Sequence, residues 1–208
     1  MVLFSSCDKA VPAHLMTIAR LDIPAIHFCG GAMMPGPEFI TGVVGYETPG
    51  RLARGEITQD DAEFLHCNAC PTPGSCPYMG TASTMQLLSE ALGLALPGNA
   101  LMPAWAGMIR AYAQKAGQRI VEMVEESLTP QKILTKRSFL NAIMVHAAVS
   151  GSTNATLHIP AIAKQAGINI TLSDFDRIHR QIPVLIITDL QRKMADLLSV
   201  LCRRRARH

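Results

Sequence analysis

The sequence has few aromatic residues and no long apolar run. Phe, Trp and Tyr make up 5% of the 208 residues, and charged residues make up 17%. No stretch reaches the roughly 18 consecutive apolar residues of a membrane-spanning helix. Met1 is followed by three apolar residues but not by the basic segment of a signal peptide. These absences predict a cytoplasmic protein without a membrane partner.

The net positive charge of the chain comes from its last residues. The formal net charge is +3, but Arg203, Arg204, Arg205 and Arg207 supply it, and the remainder is slightly negative. Nucleic-acid-binding domains carry basic residues clustered on their body. The sequence therefore predicts no nucleic-acid partner. The basic end is interpreted as a solvated tail, with a weak nucleic-acid or membrane contact as the alternative.

Common catalytic motifs are also missing. The chain contains no P-loop, no GxGxxG, no GxSxG and no HExxH. In contrast, hydrophobic residues make up 49% of the chain, which is enough for a substantial core. Six cysteines in a cytoplasmic protein are typical of metal ligands, nucleophiles or buried apolar residues rather than disulfides.

Hydrophobic periodicity predicts a helix-rich α/β fold with a mostly parallel sheet and helices on both faces. Residues 2–5 and 23–28 are apolar runs typical of strands, and residues 12–21 between them have helical spacing. This order predicts a βαβ unit. Residues 32–58 are rich in Gly and Pro, and we expect a long ordered loop there.

Further elements follow the same rules. Helices are predicted over residues 58–66, 81–94, 104–128, 130–137, 139–149 and 154–163, together with a short helix capped by Ser173 and a buried strand over 183–188. In the longest helix, Trp105, Met108 and Val124 follow the spacing of a single apolar face.

A thiol, a carboxylate and an amine follow the first predicted strand on consecutive residues, Cys7, Asp8 and Lys9. The carboxyl end of such a strand is where α/β proteins commonly bind ligands. Taken singly, Asp8 is typical of a helix cap and Lys9 of a solvent-exposed residue. Their adjacency to Cys7 favours a metal or ligand site, since Mg²⁺ needs only one or two protein carboxylates.

Three more cysteines, Cys67, Cys70 and Cys76, lie in a Pro- and Gly-rich segment. The spacing of the first two suits zinc, but a fourth ligand is not evident because His66 is adjacent to Cys67. The alternatives are small apolar residues in a loop, or ligands of an iron–sulfur cluster that takes thiolates from distant segments.

Residues 151–154 (GSTN) are typical of a turn that leads into a helix. Alternatively, Ser152, Thr153 and Asn154 would hold a substrate carboxylate at that helix N-terminus. His27, His146 and His158 are interpreted as packed side chains.

Several segments, in order along the chain, resemble the dihydroxy-acid dehydratase/6-phosphogluconate dehydratase family. They are residues 7–13 (CDKAVPA), 30–36 (GGAMMPG), 74–76 (GSC), 79–85 (MGTASTM), 90–94 (EALGL), 97–98 (PG), 141–142 (NA) and 151–155 (GSTNA). The likeness covers residues from about 2 to 190, and residues 2–196 are interpreted as part of the family's N-terminal α/β domain.

The resemblance implies a hydro-lyase that converts a 2,3-dihydroxy acid, or a sugar acid, to a 2-oxo acid. By position, Cys7 and Cys76 would bind an iron–sulfur cluster, [2Fe–2S] rather than [4Fe–4S]. Asp8 and carbamylated Lys9 would bind Mg²⁺. Cys67 and Cys70 match no cluster ligand and are left structural. The family also implies a homodimer.

The departures from the family pattern carry expectations too. Family members are longer, with a further cluster cysteine and a further acidic ligand upstream. They also have a C-terminal domain that supplies one more acidic ligand and the serine thought to act as the base. Residues 197–208 diverge into a basic tail. We therefore expect a fragment with little or no activity of its own.

The substrate class stays open between two options. Residues 79–82, 146–148 and 157–163 look slightly more like the sugar-acid members than the branched-chain biosynthetic ones. Outside the enzyme interpretation, the chain is either a non-catalytic remnant or a small metal-binding module built on Cys67, Cys70 and Cys76.

Overall fold

The computed structural model describes residues 1–185, and their organising unit is a parallel βαβ motif. Strands β1 (Val2–Ser5) and β2 (Ile26–Cys29) pair in parallel, with Val2 opposite Ile26 and Ser5 opposite Cys29. Helix α1 (Ala10–Leu21) connects them, because parallel strands need a crossover rather than a hairpin. The predicted βαβ unit is confirmed.

Eight further helices follow β2 among residues 1–185. They are α2 (Gly42–Ala53), α3 (Gln59–Asn68), α4 (Thr81–Ala91), α5 (Met108–Glu125), α6 (Pro130–Ile133), α7 (Lys136–Ala148), α8 (Ala155–Gln165) and α9 (Leu172–His179), with short 3-10 turns at Pro37–Phe39 and Asn99–Leu101. The fold is a helix-rich α/β arrangement, as predicted.

The two faces of the small sheet are covered by different helices. Successive side chains of a strand point to opposite faces, so Ile26 and Phe28 share one face and His27 and Cys29 the other. Ile26 and Phe28 pack with Ala116 and Met123 of α5. His27 bonds to Ser89 of α4. The prediction of helices on both faces is therefore confirmed.

The outer edge of β2 is closed by loop groups rather than by a third strand. The backbone N–H of His27 donates to the carbonyl of Leu94. The side-chain amide of Asn99 accepts from the Cys29 N–H at 2.8 Å and donates to the Cys29 carbonyl at 3.0 Å. Asn99 is fully buried, and it satisfies backbone groups that would otherwise be costly to bury.

The main core lies between α1, α4, α7, α8 and α9. Its fully buried members include Leu15, Leu88, Phe139 and Ile159. Helix α1 packs against α8 and α4, and α7 packs against α4 and α9. This core holds the N-termini of α1, α4 and α8 in place relative to one another.

Residues 32–58 are not the long loop that their composition predicts, because residues 42–53 form helix α2 and residues 37–39 form a 3-10 turn. Three glycines and Pro49 give this segment a poor intrinsic helix propensity. Tertiary packing overrides that propensity: Val44 joins a second core with Leu65 of α3. The Thr48 hydroxyl donates to the Val44 carbonyl at 2.7 Å.

Several helix boundaries differ from prediction. The short last helix is capped by Thr171 and Asp174, not by Ser173, which lies inside it. The segment predicted as a helix over 130–137 divides into α6 and the start of α7, because Leu134 adopts an extended conformation. The predicted strand over 183–188 extends beyond the described residues, and the tail at 197–208 lies outside them.

The face expected to be buried on the longest helix is largely exposed. Trp105 precedes α5, and it is half exposed; Met108 and Val124 are about 60% exposed. Only Ala116 and Met123 of this helix are buried. Apolar spacing alone therefore overstated how much of α5 is covered by the described part of the chain.

None of the helices within residues 1–185 combines the length and the apolar character needed to cross a membrane.

The core assignment can be tested on a single helix, α8. Ile159 is fully buried whereas Leu157 is 69% exposed. We expect Ile159→Ala to lower the free energy of unfolding by about 2–5 kcal/mol, because it leaves a cavity. Leu157→Ala is the matched control and should change it by no more than about 0.5 kcal/mol. Urea unfolding measures both values, and equal losses would contradict this packing.

Candidate active site at the carboxyl end of the sheet

Cys7, Asp8 and Lys9 form the turn between β1 and α1, as predicted. β1 ends at Ser5 and α1 begins at Ala10. The Cys7 carbonyl accepts from the Val11 N–H at 3.1 Å, so Cys7 lies at the first turn of the helix. Its thiol is exposed and lies 3.8 Å from Asp8 Oδ1. No side chain caps α1, so Asp8 is not occupied as a helix cap.

Cys76 reaches the same edge of the sheet through a short bridge. Ser75 pairs in parallel with Ala32, three residues beyond β2. The Ser75 N–H donates to the Gly31 carbonyl at 3.1 Å, and the Ser75 carbonyl accepts from Met33. Gly74 has φ +131°, and a Cβ there would collide with the backbone of Met33. The bridge therefore extends the sheet beyond β2, and Cys76 lies directly after it.

Neighbouring acidic groups affect the pKa of Cys76. Burial raises the pKa of the Cys76 thiol, and Cys7, Cys70 and Asp8 raise it further. The pKa of Tyr78 is raised in the same way, by burial and then by Cys76. Like charges held close together disfavour ionisation of each group. Cys7, Cys70 and Asp8 therefore lie within electrostatic range of Cys76.

Residues 152–154 lie against the start of α4. The Ser152 and Thr81 hydroxyls are 3.0 Å apart, and Asn154 Nδ2 donates to Thr81 Oγ1 at 2.9 Å. Burial lowers the pKa of His158, while the charge of Asp8 opposes that shift. The contacts with Thr81 place Ser152 and Asn154 at the N-terminus of α4.

The N-termini of three helices meet at this edge. α1 begins after Lys9, α4 begins at Thr81 and α8 begins at Ala155. None of the three has a side-chain cap hydrogen bond. Helix N-termini carry a partial positive charge and free N–H groups, which favour anions. The arrangement is suited to a small carboxylate.

His146 holds the loop at Ser152 in place. Its Nε2 lies 2.9 Å from the Ser152 carbonyl, and its Nδ1 lies 3.0 Å from Nε2 of His179. A carbonyl only accepts, so Nε2 of His146 carries a proton and the neutral ring accepts from His179. Burial lowers the pKa of His146, which favours this neutral form. The expectation that His146 packs is confirmed, but its link to Ser152 was not predicted.

A cleft of about 640 Å³ opens beside Cys7. Its walls are mainly apolar, with Phe4, Phe28 and Ile109 among them, and Arg110 and His14 contribute polar groups. This volume is ample for a small hydroxy acid. The cleft therefore gives a ligand access to the sheet edge that carries Cys7.

The remaining cysteines within residues 1–185 differ in solvent exposure. Cys67 and Cys70 are exposed, and Cys29 is buried in β2. Within residues 1–185, no group of three or more His, Cys, Asp or Glu side chains is arranged to hold a metal ion. The described chain thus offers no four-ligand zinc site at Cys67, Cys70 and Cys76. Cys7 and Cys76 remain chemically suitable as two thiolate anchors of an iron–sulfur cluster.

Sequence comparison identifies the family. Residues 1–196 match the family described as dihydroxy-acid/6-phosphogluconate dehydratase N-terminal. The chain belongs to this family. It is 47% identical over 188 residues to a dihydroxy-acid dehydratase of Methanosarcina barkeri. The matched segment covers 89% of this chain and 34% of that relative.

Two other dehydratases show similar identity to the chain and similar coverage. The chain is 49% identical over 188 residues to a dihydroxy-acid dehydratase of Methanothermobacter thermautotrophicus, with 88% of this chain and 34% of the relative covered. It is 44% identical over 189 residues to one of Clostridium novyi, with 88% and 34% covered. The chain therefore spans about a third of the length of these relatives.

A buried histidine in this dehydratase-family chain makes its stability depend on pH. His27 is fully buried between the hydroxyls of Ser5 and Ser89, at 2.9 and 2.7 Å. Burial, reinforced by His14, lowers its pKa to about 4 from 6.5. The unfolded chain therefore takes up this proton first. Stability is complete above about pH 6.5 and is lost as the pH falls towards 4.

We expect this single group to contribute about 3 kcal/mol of lost stability once the pH is below 4. Urea unfolding between pH 4 and 7 measures the effect, and His27→Gln should reduce the slope of stability against pH. His66→Gln replaces an exposed histidine and should keep the wild-type slope. The assignment fails if His27→Gln keeps that slope as well.

Thiol reactivity should follow burial. The Cys29 side chain is buried, and burial together with the Glu90 charge raises its pKa to about 12. We expect iodoacetamide at pH 8 to label Cys7, Cys67 and Cys70 rapidly and Cys76 more slowly. Cys29 should be labelled only after unfolding. Peptide mapping measures each rate, and rapid native labelling of Cys29 would contradict the fold.

Proposed function

We propose that the chain forms one wall of the active site of a hydro-lyase that converts a 2,3-dihydroxy acid to a 2-oxo acid. One observation carries the proposal: Cys7 and Asp8 follow β1, and Cys76 follows the Ala32–Ser75 bridge beyond β2, in a chain that belongs to the dehydratase family. The relatives named above support the dihydroxy-acid substrate rather than a sugar acid.

Under this proposal the residues of the edge divide into two binding sets. Cys7 and Cys76 hold an iron–sulfur cluster, [2Fe–2S] by family resemblance, and Asp8 with carbamylated Lys9 holds Mg²⁺. When bound, these groups supply Lewis acidity toward substrate oxygens. The donor types support the assignment, since thiolates suit iron–sulfur clusters and carboxylates suit Mg²⁺.

The chain's own polar groups orient the substrate. The hydroxyls of Thr81 and Ser152 and the amide of Asn154 lie together at the N-termini of α4 and α8. There the helix dipoles favour the carboxylate of the hydroxy acid. Ser152 is held by His146. Thr153 is exposed and belongs to the same turn.

The overall reaction removes one water molecule from the substrate. The proton on C2 and the hydroxyl on C3 leave, and an enol remains. That enol takes up a proton at C3 and loses its hydroxyl proton to give the 2-oxo acid, so the reaction needs no oxidant or reductant. The described residues are assigned to binding and orientation, and no base is assigned among them.

Cluster binding provides the first test. The 208-residue chain is purified without oxygen and treated with iron, sulfide, Mg²⁺ and bicarbonate. We expect Cys7→Ser and Cys76→Ser to lose most of the bound iron and sulfide, because each removes a thiolate ligand. Cys67→Ser is the matched control, an exposed cysteine of the same region, and it should load as the wild type does.

Iron, sulfide and visible absorbance are measured on each variant. Wild-type iron content in Cys7→Ser would contradict the ligand assignment, and zinc bound in place of iron would favour the metal-binding module. Formation of 2-oxo acid from a branched dihydroxy acid, with aldonic acids in parallel, then tests the activity. Product from aldonic acids alone would overturn the substrate assignment.

A further inference from the structure

The side chain of Gln86 connects the two turns that carry Cys7 and Cys76. Gln86 lies in the second turn of α4 and is 1% exposed. Its Nε2 donates to the Ser6 carbonyl at 3.1 Å and to the Ser75 hydroxyl at 3.2 Å. Its Oε1 accepts from the Gly31 N–H at 2.9 Å. Both amide hydrogens and the amide oxygen are therefore in use.

Each partner of Gln86 adjoins a functional position. Ser6 immediately precedes Cys7, and Ser75 immediately precedes Cys76. Gly31 accepts from the Ser75 N–H through its carbonyl, so it belongs to the same bridge. One planar amide thus links helix α4 to the backbone carbonyl before Cys7 and to the side-chain hydroxyl before Cys76.

The link is buried, which makes it both strong and hard to replace. Buried polar groups that lose a partner are left unsatisfied, because water cannot reach them. Without the Gln86 amide, the Ser6 carbonyl and the Gly31 N–H would each lose the hydrogen bond they make to it. The Ser75 hydroxyl would keep its 3.3 Å bond to the Gly31 carbonyl. The turn at Ser6 is therefore the one expected to move most.

We propose that Gln86 is a positioning residue that sets the spacing and orientation of Cys7 relative to Cys76. It acts through the Ser6 carbonyl, the Ser75 hydroxyl and the Gly31 N–H and does not itself touch the bound group. The inference rests on the proposed function in one respect: the two thiols serve as cluster ligands. Residues that orient metal ligands in this way typically affect metal affinity by about 10- to 100-fold.

Two substitutions separate the parts of the link. Gln86→Leu removes all three hydrogen bonds at similar size. Gln86→Glu keeps an oxygen to accept from Gly31, but it places a second oxygen opposite the Ser6 carbonyl. Leu88→Ala is the matched control, because it damages the core from the same helix while keeping the Gln86 amide.

Two measurements are made on each folded variant. The first is iron and sulfide loading, with visible circular dichroism as the signature of the ligand arrangement. The second is the alkylation rate of Cys76 in the metal-free chain. We expect both Gln86 variants to lower the apparent iron affinity by about 10-fold or more, to alter the dichroism, and to speed alkylation of the half-buried Cys76. Leu88→Ala should resemble the wild type in all three.

The outcomes distinguish this inference from the proposed function. If the wild type loads iron and Gln86→Leu matches it in loading, dichroism and alkylation, the inference is overturned. It is overturned equally if Leu88→Ala falls as far as Gln86→Leu, because general destabilisation then accounts for the effect. If the wild type binds no iron, the proposed function fails, and the alkylation rate of Cys76 alone tests the positioning role. Faster labelling of Cys76 in the Gln86 variants than in Leu88→Ala supports that role. Equal labelling refutes it.

Discussion

The parallel pairing of β1 with β2 is the constraint on which the candidate site depends. Parallel strands place their carboxyl ends at the same edge of a sheet. The register sets Ser5 opposite Cys29, so the turn after Ser5 and the segment after Cys29 leave the sheet side by side. The Ala32–Ser75 bridge then brings a third segment to that edge. Slippage of the register would separate Cys7 from Cys76 and turn every side chain of the slipped strand to the opposite face.

Such a short sheet is held by buried polar side chains as much as by its backbone ladder. His27 bonds to a hydroxyl on each side, Asn99 closes the edge of β2 at Cys29, and Gln86 ties the turns beyond the strands. Each of these groups has its hydrogen bonds satisfied, so its burial costs little net free energy. Unlike apolar packing, these bonds are directional. They fix orientation at the positions where the thiols leave the sheet.

The sequence was informative where structure is local. The β1, α1 and β2 segments are short, strongly patterned and adjacent, so periodicity alone placed Cys7 at the end of a strand. Helix α2 was missed because its glycines and Pro49 favour a loop, and only packing against α3 reverses that preference. Thr58 was recognised as a helix start because a capping box lies within four residues.

Contacts between segments that are far apart in the sequence could not be predicted from local patterns. Thr81 and Ser152 are 71 positions apart, and no period in a single sequence relates them. Gln86 carried a weak signal, as a polar residue directly after the buried Met85, but its partners are fixed only by the tertiary fold. Family resemblance assigned roles to Cys7 and Cys76, whereas their shared neighbourhood emerged from the structure.

The electrostatic balance of the edge explains why these groups belong together chemically. Three helix N-termini favour negative charge, yet Cys7, Cys70 and Asp8 together with burial raise the pKa of Cys76. Burial contributes most to this rise, and repulsion from the acidic groups adds to it. Ionising Cys76 therefore costs free energy, chiefly because the thiol is partly buried. A bound cationic centre would supply the missing charge, because metal coordination stabilises thiolates against both repulsion and desolvation.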